Sequence, residues 1–216
     1  MRNAGIWATV FCTGVAVLAA GVLADPTDGW SPQRLSFNVQ YPYNVNKGQR
    51  YTYTNGIYHL WVFNNDKPFS ERTRTLPRTE MRFPEYEKPQ EEQFEADVMV
   101  PRGTNNVCIV QIHTSDQESP KYGPTVFMLD VRNDGDLRHY ADKLLDSDIY
   151  GKWVHVNVIH NVPDRQIQCY INNRLVGQYK ANAAKSFYFK CGVYEQRGGS
   201  DEMQVYFRNV KLWSRQ

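Results

Sequence analysis

Short runs of β-branched and aromatic residues recur along almost the whole chain, and turn-forming residues separate them. Hydrophobic residues at helical spacing are almost absent from the same regions. The runs assigned to strands are residues 57–63, 94–100, 107–113, 125–131, 153–160, 166–171 and 204–213. Between them stand hairpin and loop signals such as Asn55-Gly56 and Asn172-Asn173. Many short strands at this spacing predict an all-β fold, either a sandwich or a curved jelly roll.

Three stretches of the chain place polar side chains at every second position, with apolar or small side chains between them. They are Arg78-Thr79-Glu80-Met81-Arg82, Gln111-Ile112-His113 and Tyr188-Phe189-Lys190-Cys191-Gly192-Val193-Tyr194. Because side chains alternate between the two faces of a strand, each stretch presents its polar groups on one face. If the three strands are neighbours, one sheet face carries Arg, Gln, His, Tyr and Lys together. Such a face suits an anionic substrate and includes groups that transfer protons.

The alternative interpretation of these stretches is an ordinary solvent-facing surface, because antiparallel sheets commonly have one wet face. Strand periodicity alone would produce the same alternation. The residue types favour a site, since wet faces usually carry Thr, Ser, Lys and Glu, whereas this face combines Arg, Gln, His and Tyr. Three such stretches in one chain strengthen that interpretation.

The three stretches resemble the motif blocks of the alginate lyases of polysaccharide lyase family 7, in order and in approximate spacing. Outside the motifs, the opening Asp25-Pro26-Thr27-Asp28-Gly29 and residues 188–196 look more like the plant citrate-binding proteins, secretory-pathway relatives of those lyases. The resemblance extends over roughly residues 25–216. It implies a β-jelly roll, in which two curved antiparallel sheets form a concanavalin-like sandwich and the concave sheet holds a substrate groove.

The resemblance also implies roles for the residues of the polar face. The catalytic positions that it implies are Gln111, His113, Tyr188 and one arginine of the pair Arg78 and Arg82, for which we take Arg82. From the shared face we expect Arg78, Glu80, Lys190 and Tyr194 to bind substrate. Arg78, Glu80 and Arg82 share one strand face, so the sequence leaves open which arginine meets the substrate and which one Glu80 holds. Cys191 stands where many bacterial lyases have a small residue, and the framework that resembles the citrate-binding proteins favours a binding role.

The reaction implied by the resemblance is β-elimination in a 4-linked uronic acid polymer of the alginate or glucuronan type. Arg and Gln donors would neutralise the carboxylate beside C5, His113 or Tyr188 would accept the C5 proton, and Tyr188 would protonate the leaving oxygen. A phenol that acts as a base needs a lowered pKa, and we expect Lys190 and the arginines to supply the positive field. The alternative function is a noncatalytic protein that binds carboxylates or acidic glycans on the same face.

The N-terminus predicts a secretory signal peptide. Residues 6–23 are almost wholly small or apolar, follow Met1-Arg2 and end in Val22-Leu23-Ala24, which is typical of a cleavage site. We therefore expect residues 1–24 to be removed and residues 25–216 to form one secreted domain without stable membrane insertion. The alternative is that the apolar run is a membrane anchor.

The charge of the expected mature domain is close to neutral. Removal of residues 1–24 takes away one arginine and no acidic residue, so the net charge falls from +2 to +1. Near-neutrality argues against a nucleic-acid partner, which a broadly basic surface would favour. We expect a monomer whose partner is an acidic polysaccharide or oligo-uronate.

Cofactor and metal motifs are missing from the sequence. It contains no Gly-rich phosphate loop, no His-Glu-x-x-His and no ligand spacing typical of a zinc or calcium site. The acidic residues of 85–97 indicate a solvated loop that enters a strand. We therefore expect neither a cofactor nor a metal, and the proposed chemistry requires neither.

Three cysteines remain after signal cleavage: Cys108, Cys169 and Cys191. An odd number in an oxidising compartment indicates one pair and one thiol. Cys108 is in phase with the apolar residues of its strand, as is Cys191, so we expect both to point into the same core. If a disulfide forms, it should join Cys108 and Cys191; buried free thiols are the alternative.

Overall fold

A computed structural model of the chain describes residues 26–115 and 124–215, and the predicted signal peptide, residues 1–24, lies outside them. The described residues form sixteen β-strands and one 3₁₀ turn, Lys47–Gln49. No helix within these two ranges has the length and hydropathy needed to cross a bilayer. The strands are β1 (Ser31–Pro32), β2 (Asn38–Gln40), β3 (Tyr51–Thr54), β4 (Ile57–Phe63), β5 (Arg78–Arg82), β6 (Tyr86–Glu87), β7 (Glu91–Met99), β8 (Val107–Thr114), β9 (Thr125–Arg132), β10 (Asp136–His139), β11 (Lys143–Asp146), β12 (Trp153–Asn161), β13 (Gln166–Ile171), β14 (Arg174–Lys180), β15 (Ser186–Glu195) and β16 (Glu202–Arg215).

The strands form two antiparallel sheets that pack as a sandwich. One sheet, called the backing sheet here, has the order β14-β13-β12-β7-β16-β4-β3, with β1 paired to β16. The other, called the site sheet, has the order β11-β10-β9-β8-β15-β5-β2, with β6 paired to β15. Neighbours in each sheet are often distant in sequence, as in a jelly roll. The predicted all-β jelly-roll fold is confirmed.

The hydrophobic core lies between the two sheets and follows from strand alternation. In the site sheet, Ile112 on β8 and Phe189 on β15 are buried, and in the backing sheet so are Phe94 on β7, Val158 on β12 and Phe207 on β16. Each of these strands therefore turns its apolar residues inward. The opposite face of the site sheet is left for the polar residues of the same strands.

The hairpin signals in the sequence correspond to left-handed backbone in the structure. Asn55 and Gly56 have φ angles of 52° and 80°, and Asn172 and Asn173 have φ angles of 51° and 63°. Positive φ at both central residues is the requirement of the two-residue turn whose twist matches a hairpin. These turns connect β3 to β4 and β13 to β14.

The predicted disulfide between Cys108 and Cys191 is not formed. Cys108, Cys169 and Cys191 are all buried free thiols. The cause is a break in the strand register between Cys108 and Val110, which leaves Ile109 without a partner on β9. This bulge reverses the phase expected from the sequence. Cys108 consequently stands opposite Asp130 and outside the core cluster, whereas Cys191 belongs to the core.

The acidic region that we interpreted as a solvated loop is largely strand. Residues from Glu91 onward form β7, and Glu92 has the same phase as the core residue Phe94. Glu92 stands opposite His160 on β12, and the His160 Nδ1 atom lies 2.9 Å from the Tyr86 hydroxyl. Burial raises the pKa of Glu92 to about 7 and lowers the pKa of His160 to about 3. Both side chains are therefore predominantly neutral in mildly acidic solution.

We expect Glu92→Gln to remove part of the pH dependence of stability. The raised pKa means that the folded state favours the neutral carboxyl. Below its ordinary pKa of 4.5, Glu92 is neutral in both the folded and unfolded states and costs no stability through ionisation. As pH rises from there through about 7, the unfolded state ionises first and the free energy of unfolding falls. In thermal denaturation from about pH 4 to about pH 8, the wild type should lose stability relative to Glu92→Gln across that window. Glu87→Gln, at an exposed site on the preceding strand, is the matched control. Parallel curves for Glu92→Gln and the wild type would contradict this account.

Candidate active site

The three polar stretches lie on adjacent strands at the centre of the site sheet. Strand β15 is hydrogen-bonded to β5 on one side and to β8 on the other. Lys190 stands opposite both Arg82 on β5 and Gln111 on β8, and Tyr188 stands opposite His113. The sequence prediction that these stretches are neighbours is confirmed.

Gly192 allows β5 to approach β15 closely. It is the pairing partner of Glu80 and has a φ of 148°, which side-chain-bearing residues rarely adopt. A Cβ atom at this position would lie 2.2 Å from the carbonyl oxygen of Thr79 and 2.7 Å from the Cα atom of Glu80. Any larger residue would therefore displace the strand that carries Glu80.

Glu80 is the centre of a buried polar network beneath the face. Its Oε1 accepts a hydrogen bond from Gln111 Nε2 at 2.5 Å, and its Oε2 accepts from the Lys190 ammonium. Arg78 Nη1 lies 3.3 Å from the same Oε2. Arg78 is 5% exposed and the other three residues are 1% exposed, so the network is nearly inaccessible to water. Glu80 therefore holds Arg78, whereas Arg82 has another partner.

Burial and charge oppose each other in this network. Burial alone would raise the pKa of Glu80, but the charges of Lys190 and Arg78 and the hydrogen bonds from Lys190 and Gln111 lower it below its ordinary value. Burial lowers the pKa of Lys190 to about 8, with the Glu80 charge opposing that change. The carboxylate is thus ionised at neutral pH, and the two cations beside it leave the network with a positive charge.

A more accessible layer lies above the network and contains Arg82, Tyr188 and His113. Arg82 is half-buried and its Nη2 atom lies 2.5 Å from Glu85 Oε1. The Arg82 guanidinium carbon also lies 4.0 Å from the centre of the Tyr188 ring. On the other side, the Tyr188 ring stacks on His113 with ring centres 5.0 Å apart. A cation, a phenol and an imidazole therefore stand in a row across three strands.

Tyr194 is a second phenol on the same face, at the other end of the network. The Arg78 guanidinium carbon lies 3.7 Å from the centre of its ring, and the Phe69 ring lies 5.2 Å from the same carbon. Tyr194 is half-buried, whereas Tyr188 is 9% exposed. Each tyrosine is thus paired with one arginine through a cation–π contact.

The histidine and the tyrosines have pKa values shifted in opposite directions. Burial lowers the pKa of His113 to about 4. Burial raises the pKa of Tyr188 and of Tyr194, with Arg82 and Arg78 respectively opposing the change. The expectation of a lowered tyrosine pKa is wrong for the free protein, because Glu80 neutralises Lys190 and burial outweighs the arginine charges. At neutral pH the imidazole is free to accept a proton, and both phenols hold theirs.

The hydrogen bond of His113 identifies which ring nitrogen can accept a proton. Its Nδ1 atom lies 2.8 Å from the backbone carbonyl oxygen of Thr114. A carbonyl oxygen only accepts, so Nδ1 carries the hydrogen in the neutral ring and Nε2 has the free lone pair. Nε2 is therefore the basic atom of this imidazole.

Two features of the site were missed in the sequence. Glu85, three residues after Arg82, holds its guanidinium, and a charge-pair search over short spacings would have found it. On β9, Asp130 accepts from the Nε and Nη2 atoms of Arg132 at 3.1 and 2.7 Å and stands opposite Cys108. The β-bulge that brings Cys108 to this face left no clear signal in the sequence.

The described part of the chain contains no group of three or more His, Cys, Asp or Glu side chains arranged to hold a metal ion. The carboxylates near the site are paired with cations: Glu80 with Lys190, Glu85 with Arg82 and Asp130 with Arg132. The absence of a cofactor from the reaction stays a prediction.

We expect the buried pair of Glu80 and Lys190 to behave as a unit in stability measurements. Glu80→Gln leaves an ammonium buried without its counter-charge and should cost about 3 kcal/mol in the free energy of unfolding. The double variant Glu80→Gln/Lys190→Met removes both charges and should recover most of that loss. Urea denaturation of the two single variants and the double variant measures the coupling. Strictly additive losses would show that the pair does not act as a unit.

Comparisons with known proteins give a consistent family relationship. The sequence matches the alginate lyase family over residues 35–213. A citrate-binding protein of Hevea brasiliensis is 39% identical over 195 residues, which cover 88% of this chain and 79% of that protein. The alginate lyase AlgAT5 from polysaccharide lyase family 7 superimposes with a TM-score of 0.66 at 17% identity, covering 83% of this chain and 94% of that chain.

A second solved structure contains a substrate. It is a variant of the family 7 alginate lyase A1-II′, with one histidine replaced by asparagine and one tyrosine by phenylalanine, in complex with the substrate GGMG. It superimposes with a TM-score of 0.62 at 13% identity, covering 81% of this chain and 90% of that chain. At such identities these similarities establish the fold. The match of the family over residues 35–213 shows that this chain belongs to the alginate lyase family.

Proposed function

We propose that this protein is a secreted polysaccharide lyase that cleaves a 4-linked uronic acid polymer, of the alginate or glucuronan type, by β-elimination. The observation that carries the proposal is the combination of Arg82, Tyr188 and the neutral His113 in one row above a positively charged buried network. Cleavage of such a polymer requires neutralisation of a carboxylate, removal of the C5 proton and donation of a proton to the C4 oxygen as its bond to C4 breaks. The face supplies groups for all three tasks.

Arg82 is the group that we assign to the substrate carboxylate. It is the more accessible of the two arginines, and its partner Glu85 is itself exposed. A uronate carboxylate can therefore replace or share Glu85 without uncovering a buried charge. Arg78, Gln111 and Lys190 lie below and supply positive potential and hydrogen-bond dipoles in a region of low water content. These groups stabilise the negative charge that accumulates beside C5 as the proton leaves.

The proton transfers divide between the imidazole and a phenol. His113 accepts the C5 proton at Nε2, because its lowered pKa keeps it neutral and its Nδ1 hydrogen is held by Thr114. A tyrosine donates its proton to the C4 oxygen as the glycosidic bond breaks, because a raised pKa keeps the phenol protonated. Opposite shifts of neighbouring titratable groups are the usual sign of such a division into base and acid.

Two tyrosines are candidates for the acid. Tyr188, assigned from the sequence resemblance, stacks directly on the base His113. Tyr194 is more exposed and lies against the guanidinium of Arg78, so its hydroxyl is also available to a sugar in the groove. The A1-II′ complex, in which a histidine and a tyrosine were both replaced, supports the involvement of one residue of each type.

A noncatalytic carboxylate-binding protein is the second candidate function. The observation that favours it is the 39% identity to a citrate-binding protein, which is far above the identity to the lyases of known structure. Arg82 would bind a small carboxylate above the positively charged network without any proton transfer. The two functions differ in whether His113 and a tyrosine act on the bound molecule.

We also propose a cellular location, a partner and an oligomeric state for this protein. The apolar run of residues 6–23 supports secretion of residues 25–216 after signal cleavage. The near-neutral charge supports an acidic glycan as partner in place of a nucleic acid, with attraction confined to the local cation cluster. We propose a monomer that needs no cofactor, because the charge stabilisation comes from side chains.

We expect the secreted protein, residues 25–216, to release unsaturated oligosaccharides from at least one of alginate, glucuronan and pectin without added metal. The measurement is the rise in ultraviolet absorbance that accompanies the new double bond. Activity lost on treatment with a chelator and restored by calcium would contradict the metal-free mechanism. Inactivity on all three polymers, with citrate binding retained, would establish the binding function instead.

Single-hydroxyl variants should identify the acid. Phenylalanine at the acid position preserves the ring and its arginine contact while removing the transferable proton, so turnover should fall by about two orders of magnitude or more with little change in affinity. Tyr188→Phe and Tyr194→Phe are each other's matched controls, and the variant with near-normal turnover marks the tyrosine that only contacts the sugar. Near-normal turnover in both would show that neither phenol donates the proton.

A further inference from the structure

The connection between β4 and β5 carries a concentration of positive charge next to the site. Residues 67–78, called the basic segment here, contain the cations Lys67, Arg72, Arg74 and Arg78 and one acidic residue, Glu71. The net charge of +3 in this short segment exceeds the +2 of the entire chain. The rest of the chain carries a net charge of −1, so the basic segment is a local concentration of positive charge beside the site.

The backbone of the basic segment is fixed by its hydroxyl residues. The Thr73 amide and hydroxyl both donate to the Ser70 carbonyl oxygen, at 3.1 and 3.0 Å, and the Arg72 amide donates to the Ser70 hydroxyl at 3.3 Å. Phe69 contacts Arg78, and the Glu195 amide donates to the Pro77 carbonyl oxygen at 3.0 Å. The segment is thus attached to the end of the site where Arg78 and Tyr194 lie.

Arg72 and Arg74 differ from the arginines inside the site in their charge balance. Both are exposed, and within residues 26–115 and 124–215 no carboxylate forms an ion pair with either of them. Arg78 and Arg82, by contrast, have Glu80 and Glu85 as partners. Arg72 and Arg74 therefore offer two charges that an incoming anion can meet without displacing a protein carboxylate.

We infer that Arg72 and Arg74 form an outer binding surface for a polyanionic glycan, which extends the groove beyond Arg78 and Tyr194. This inference rests on the proposed function of the face. At the rise of an extended chain, the Cα atom of Arg74 lies up to about 13 Å from that of Arg78. A polymer that binds at Arg82 presents further carboxylates along its length to a surface within that distance of Arg78, whereas a small carboxylate held at Arg82 and His113 has no such extension. The outer surface thus selects long uronate chains over small carboxylates.

Calorimetric titration of alginate and of citrate tests the inference. The parent protein carries Tyr188→Phe and Tyr194→Phe, so that turnover does not consume the polymer, and the test variant adds Arg72→Gln and Arg74→Gln. Loss of two exposed charges should weaken alginate binding about 10-fold at low salt, roughly 3-fold per arginine. The slope of log affinity against log salt should fall by about 1 to 2. Citrate affinity and thermal stability should not change.

Two controls distinguish an effect of the charges at Arg72 and Arg74 from an effect of the overall charge of the protein. Arg174→Gln removes an exposed arginine from β14, at the far edge of the backing sheet, and should leave alginate binding unchanged. Arg72→Lys with Arg74→Lys keeps the charge and should preserve the salt slope. The inference would be overturned if the double glutamine variant bound alginate as tightly as the parent protein, or if Arg174→Gln weakened binding equally. Either result would leave the proposed function intact. Failure of the parent protein to bind alginate would overturn the proposed function and the inference with it.

Discussion

The ion pair between Glu80 and Lys190 is the interaction on which the site depends. Two charges that are almost inaccessible to water are stable only when they are paired and hydrogen-bonded. Glu80 and Lys190 are paired with each other, and neighbouring residues complete the hydrogen bonds. Gln111 completes the hydrogen bonding of the Glu80 carboxylate and is thereby oriented by it. The pairing also requires β5 and β15 to lie in close contact, which Gly192 permits. One carboxylate thus fixes residues from all three strands.

The buried network has a second effect, on the groups above it. Because Glu80 largely cancels Lys190, the field at Tyr188 comes mainly from Arg82, and it does not overcome burial. The phenols stay protonated, while burial keeps His113 unprotonated. The proposed assignment of base and acid therefore rests on how deeply each group lies and on which charges are already paired, and a list of residue types does not reveal either property.

Much of this arrangement was predictable because strand alternation is a local property. The runs 57–63 and 166–171 coincide with β4 and β13, and the polar phases of β5 and β15 placed Glu80 and Lys190 on one face. The predictions failed where the alternation of inward and outward side chains is interrupted, or where a charged residue occupies an inward position. The bulge at Ile109 moved Cys108 out of the core and removed the predicted disulfide, and Glu92 sits at a core position despite its charge. The burial of Gln111 and Lys190 was also not predictable. Alternation shows which face of the strand a side chain occupies, but it does not show how far neighbouring side chains cover that face.

The distinction between a lyase and a carboxylate binder depends on features that binding does not require. A site that only holds an anion needs an accessible donor such as Arg82, and its affinity would gain from a protonated histidine. This face instead keeps His113 neutral, with Nδ1 fixed by a backbone carbonyl and Nε2 left free, and stacks it on a phenol that retains its proton. A neutral imidazole adds little to the binding of a carboxylate, whereas it is the form required to take a proton from carbon. The identity to a citrate-binding protein and the geometry of this pair therefore point to different uses of one face, and the geometry favours chemistry.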